Sequence, residues 1–111
     1  MSLDLYMVIK SCEHCGHVEE TESLNMTYNV SPMWREIFPD ANEMCDIDNL
    51  TGRDSEKILL TAFKVLINNP KVFIELEPAN GWGTYNDFMN FIERLYNLSI
   101  RYPDGIWKSH R

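Results

Sequence analysis

Leu24-Asn25-Met26-Thr27-Tyr28-Asn29-Val30-Ser31-Pro32 is the stretch on which the reading of the fold turns. Leu24, Met26, Tyr28 and Val30 alternate with Asn25, Thr27 and Asn29, the two-residue period of a half-buried strand with one polar row. Ser31-Pro32 then begins a helix, since proline suits the first helical position, where its missing N–H is not needed. That helix is short, runs through Ile37 and stops near Pro39.

Upstream, Asp4 to Lys10 is rich in β-formers and reads as a strand. Ser11-Cys12-Glu13-His14-Cys15-Gly16-His17 reads as a tight turn, and Val18 to Thr21 as a return strand. Downstream, residues 39–52 read as an acidic loop. Thr51-x-x-Asp54 forms a capping box, and Ile58, Leu59, Ala62, Phe63, Leu66 and Ile67 recur at helical spacing. This predicts a helix over about 54–68, ended by Asn68-Asn69-Pro70. Lys71 to Glu77 fits a short strand or a turn of helix. Asn80-Gly81-Trp82-Gly83 is a loop. A second capping box, Thr84-x-x-Asp87, precedes Phe88, Phe91, Ile92, Leu95 and Leu98, which predict a helix over about 85–101. Tyr102 to Gly105 is a turn, and Ile106-Trp107-Lys108 a terminal strand. Strands first and helices later give an α+β expectation: a small antiparallel sheet with two main helices packed on it, in a single domain spanning 1–111.

The composition narrows the function. The 111 residues carry 10 Lys+Arg against 17 Asp+Glu, a formal charge of −7. A general duplex-DNA binder needs a basic stripe to displace counterions, so that class is disfavoured. With 44% hydrophobic and 12% aromatic residues the chain can form a compact core. No apolar run of about eighteen residues predicts a membrane span. No basic segment followed by an apolar one marks the start as a signal peptide, so cytoplasm is the expected compartment. Three cysteines, an odd number, argue against a disulfide framework. Asn25, Asn49 and Asn97 begin Asn-x-Ser/Thr triplets, which carry no weight without a secretory route. Three Trp and five Tyr in so short a chain suggest a homo-oligomer.

Three constellations carry chemistry. Cys12-x-x-Cys15-Gly16-His17 places two thiols three residues apart on a turn, as one edge of a zinc site requires. A closed tetrahedral site needs four ligands, expected here as Cys12, Cys15, His17 and Cys45, with His14 or His110 as substitutes. The plain alternative is a turn with two reduced thiols. A redox role fits poorly, because the pair lies between strands and not at a helix start. The second constellation is the row Asn25, Thr27 and Asn29 leading to Trp34, amides and a hydroxyl able to bond a polar ligand. Its plain alternative is a solvent-facing strand. The third, Asn80-Gly81-Trp82-Gly83-Thr84-Tyr85, can present an indole to a flat ligand beside a helix start. Its plain alternative is a tryptophan that plugs a core corner. Asp46, Asp48 and Asp54 match no EF-hand spacing. With His14, His17 and His110 the only histidines, catalytic pairs are thin, and the expectation is a protein that is not an enzyme.

The order of these motifs resembles a family of small proteins of phages and prophages. The resemblance rests on Cys12-x-x-Cys15-Gly16-His17, Asn25-x-Thr27-x-Asn29-Val30-Ser31-Pro32-Met33, Leu50-Thr51-Gly52, Pro78-x-Asn80-Gly81-Trp82-Gly83-x-Tyr85 and Tyr102-Pro103-Asp104-Gly105-Ile106-Trp107. It spans most of the chain. The Cys pair is present in some members and absent in others, which makes zinc less central. The resemblance implies no catalytic activity and a binding role in the host cytoplasm, countering host defence. One form is sequestration of a nucleotide-type immune signal. Trp34 or Trp82 would stack on the base, Asn25, Thr27 and Asn29 would bond its edge, and Arg35, Arg53 or Lys71 would meet phosphate. Asn80 and Tyr85 complete the expected ligand contacts. The other form is direct blocking of a host nuclease or immune protein by an acidic surface. A zinc-stabilised accessory domain is a third.

Overall fold

A computed structural model describes residues 2–11, 18–39, 47–79, 81 and 83–110. The chain folds as α+β. Its elements are β1 (Ser2–Ser11), β2 (Val18–Glu20), β3 (Leu24–Thr27), α1 (Ser31–Ile37), α2 (Gly52–Asn68), α3 (Pro70–Glu75), α4 (Tyr85–Arg101) and β4 (Ile106–His110). The four strands form one antiparallel sheet around β1. β3 pairs with the first half of β1, Leu5 opposite Leu24, and β2 with the second half, Val8 opposite Glu20. β4 pairs with both halves, from Asp4 opposite His110 to Val8 opposite Ile106. A strand has two edges, so β2 and β3 share one edge of β1 and β4 takes the other. β2 and β3 act as a single return strand interrupted at residues 21–23. At the break Thr21 closes the gap, its N–H donating to the Met7 carbonyl and its Oγ1 accepting the Met7 N–H, both at 2.9 Å.

The outer edge of β4 is covered. Asn49 N–H donates to the Trp107 carbonyl (2.8 Å), Trp107 N–H to the Leu50 carbonyl (2.9 Å) and Gly52 N–H to the Gly105 carbonyl (2.8 Å). The end of the predicted acidic loop is therefore a strand-like segment against β4.

Both main helices lie where the apolar spacing places them. α2 begins two residues earlier than predicted, at Gly52, and Thr51 caps it by accepting the Asp54 N–H at 3.1 Å. α4 begins with a complete capping box at Thr84 and Asp87. The ambiguous segment after Pro70 is helix α3, with proline at its start and Phe73 buried. The largest departure is at the opening stretch. β3 ends at Thr27, and Tyr28–Val30 forms a 3-10 turn. Asn29 N–H lies 3.3 Å from Thr27 Oγ1, a local side-chain bond that competes with the strand ladder. The turn delivers Val30, Met33 and Trp34 to the core, and their burial outweighs three more residues of strand.

The core lies between one sheet face and the helices. Leu5, Met7, Met26 and Trp107 meet Leu59, Ala62 and Leu66 of α2 and Phe88, Ile92 and Leu95 of α4, all fully or nearly fully buried. α2 and α4 run antiparallel: Ser55 bonds Ser99 at one end, and Tyr85 bonds the Leu66 carbonyl at the other. No helix among the described residues is long and apolar enough to cross a membrane.

Candidate functional site

A groove runs between the β2–β3 edge and α4. Its first cavity, of about 380 Å³, is lined by Leu24, Asn25, Met26 and Thr27, and from α4 by Asp87, Asn90, Phe91 and Arg94. Four consecutive strand residues line one cavity. Alternating side chains put only every second residue on a face, so the cavity is bordered by the strand's edge, with its backbone N–H and C=O groups. The second cavity, of about 410 Å³, continues along the same edge past Glu20, Thr21 and Glu22 to Ile9, Leu98 and Tyr102. Leu24 and Arg94 line both cavities, so the two form one trough.

Local chemistry positions its walls. Thr84 Oγ1 accepts the Asp87 N–H at 3.1 Å, and Asp87 Oδ2 accepts the Thr84 N–H at 3.3 Å, which fixes the first turn of α4. Gly83 sits at φ +94°, where a Cβ would come within 2.6 Å of Val30 Cγ1 and 2.8 Å of Thr27 Cγ2. Only glycine lets this loop close on the end of β3. Asp87, Asn90 and Arg94 then project to the groove at three- and four-residue spacing, beside the buried stripe of Phe88, Ile92 and Leu95.

The charges differ in how they are used. Asp87 is engaged at the helix cap, and Asn25 Nδ2 donates to Asp4 Oδ1 at 2.6 Å across the sheet. Arg53 pairs with Asp104 at 3.3 Å, but with side chains 70% and 85% exposed this pair is well screened. Arg94 has neither hydrogen bond nor ion pair among the described residues, and it stands at the middle of the groove.

The structure divides the residues that sequence nominated. Asn25 and Thr27 line the groove. Asn29 is exposed outside it, because the strand has ended. Trp34 is not a stacking platform. It is 1% exposed, with Phe38 at 5.0 Å and Phe88 edge-on at 6.4 Å between ring centroids, so its faces belong to the core. Tyr85 is likewise structural. Its hydroxyl donates to the Leu66 carbonyl and its ring stacks on Phe73 at 6.2 Å, while burial pushes its phenol above the ordinary tyrosine range. Arg35, Arg53 and Lys71 are exposed and line neither cavity. Asn80, Trp82, Cys12, His14, Cys15, His17 and Cys45 lie outside the described residues. Among the described residues, no three His, Cys, Asp or Glu side chains gather as a metal site.

Arg94, Asn90 and Asp87 were missed by sequence reasoning. Their one signal is the 87, 90, 94 spacing, which any solvent-facing helix stripe shares. The chain matches no protein-family model, no curated protein and no solved structure.

Proposed function

We propose that this protein acts by binding rather than by catalysis, and that it contacts a protein partner along the groove between β3 and α4. The observation that carries this reading is the outer edge of β3, free among the described residues, which borders a trough walled by a helix. An extended segment of a partner can add to such an edge, taking affinity from main-chain hydrogen bonds and specificity from alternate side chains. The −7 charge, with Glu20 and Glu22 exposed beside the edge, favours a partner segment that carries basic residues. In the setting that the phage resemblance implies, the partner is a host nuclease or immune protein blocked by this contact. The test is selection of binders from a random-peptide display library, mapped by amide chemical shifts. Binders that perturb residues 24–27 and α4 support the reading. No binders, or binders that map elsewhere, reject it.

A second reading has its own support. Arg94, unpaired among the described residues, stands with Asn25, Thr27 and Asn90 around a cavity within the size range of small-ligand sites. This suits a nucleotide-type anion, with guanidinium on phosphate and amides on a base edge. Native mass spectrometry of the protein as purified reads this directly. A nucleotide-sized adduct lost in Arg94→Ala supports sequestration, and a bare chain rejects it. The same spectrum reports zinc on the cysteine set.

A further inference from the structure

We infer that a second copy of this chain caps the groove, pairing β3 with β3 across a two-fold axis. The inference rests on the reading that the β3 edge is a docking surface, and it identifies what covers that edge when no other partner does. Exposed strand edges are usually blunted by charge, proline or a covering segment. The outer edge of β4 has such a cover in residues 47–52, and β2 carries Glu19 and Glu20. Leu24-Asn25-Met26-Thr27 has neither charge nor proline. Among the described residues it is the undefended part of the sheet.

The sequence of this edge is compatible with itself. A two-fold axis at Asn25 sets Asn25 opposite Asn25 on the outer face and Leu24 opposite Met26 on the inner face. Pleat and polarity both match, as antiparallel register requires. The same axis sets the two α4 helices antiparallel. Asp87 and Arg94 are two turns apart on one stripe, on either side of Asn90 and about 10.5 Å from each other along the axis. With the axis passing beside Asn90, which lines the same cavity as Asn25, the reversed helix sets Arg94 of each copy toward Asp87 of the other, twice by symmetry. Arg94, which has no partner among the described residues of one chain, gains one. Each copy then walls the other's first cavity, and a docking partner segment has to displace it.

Charge exchange tests this. Sedimentation velocity over a wide concentration range compares the natural chain with Arg94→Glu, Asp87→Lys and the double variant. The natural chain sediments as a dimer at the upper end of the range. Each single variant sets like charges opposite each other and weakens association about tenfold or more. The double variant restores it, because opposite charges then face each other again at both contacts. Since Asp87→Lys also removes a helix cap, deuterium exchange on the natural chain is the companion measurement: amides 24–27 gain protection as concentration rises. A natural chain that stays monomeric, a dimer indifferent to the charge exchange, or protection confined to other segments overturns the inference. Peptide binders on β3 of a strictly monomeric chain would leave the partner reading standing and this one refuted. A charge-dependent dimer that selects no peptides would do the reverse.

Discussion

Ser55 on α2 and Ser99 on α4 stand 3.1 Å apart, Oγ to Oγ, and Trp107 Nε1 lies 3.0 Å from each. All three residues are fully buried. One hydroxyl from each helix thus satisfies the indole of the last strand, and the three elements are held in one register. Replacing Ser55 alone by Ala leaves Ser99 to accept the indole, so the cost is small. Replacing both leaves a buried N–H without a partner and costs about 1–3 kcal/mol. Urea unfolding of the single and double variants checks the difference, which a simple packing role would not produce.

The same helix pair explains Gly52. A Cβ there would lie 2.3 Å from the Tyr102 carbonyl oxygen and 2.6 Å from that of Ser99. Both are backbone atoms and cannot step aside. Alanine usually favours a helix over glycine, yet Gly52→Ala destabilises by about 1–3 kcal/mol or more, because α2 and α4 must move apart. Thermal unfolding gives the sign.

Gly81 and Gly83 separate two costs that sequence cannot. Both have positive φ, +74° and +94°. No described atom lies within 4 Å of a Cβ at Gly81, so Gly81→Ala pays only for backbone conformation, about 1–2 kcal/mol. Gly83→Ala also meets Val30 and Thr27 and costs more. It also displaces the groove wall, so amide shifts at 24–27 accompany its lower melting temperature, while those of Gly81→Ala stay local.

Tyr85 answers for a missing donor. The Leu66 carbonyl would accept the N–H of residue 70 in a continuing helix, but that residue is proline. The Tyr85 hydroxyl fills the place. Tyr85→Phe leaves this carbonyl unpaired and costs about 1–3 kcal/mol near neutral pH. Burial raises the native phenol above its unfolded value, near 10. The unfolded chain then releases this proton first. Its contribution is full below about pH 10 and is lost as pH rises through the native value. Stability measured against pH falls in alkali for the natural chain, and this component is absent from Tyr85→Phe.

Much of the fold was legible because its signals are local. Thr84 and Asp87 lie three residues apart in sequence, and their capping box closes within one turn, so α4 starts where the motif predicts. The spacing of Phe88, Ile92 and Leu95 identifies the buried face of that helix before any partner is known. Asn29 shows where such reading ends. Alternation continues through it, but the strand stops at Thr27, because Val30 and Trp34 are drawn into a core that the helices complete.

The candidate site was legible only in half. Asn25 and Thr27 were singled out by their place on a strand, and they line the groove. Trp34 and Tyr85 were singled out for their rings, which other segments bury. Arg94 carried no signal of its own. By itself the sequence determined the α+β class, the two main helices with their capping residues and the −7 charge, since these depend on composition and on neighbours a few residues away. The tertiary structure decided which aromatic rings are enclosed and, among the described residues, which strand edge stays open and which cation stands unpaired in a groove. Those depend on contacts between residues far apart in the chain, where burial and pairing are set by what packs from the other side.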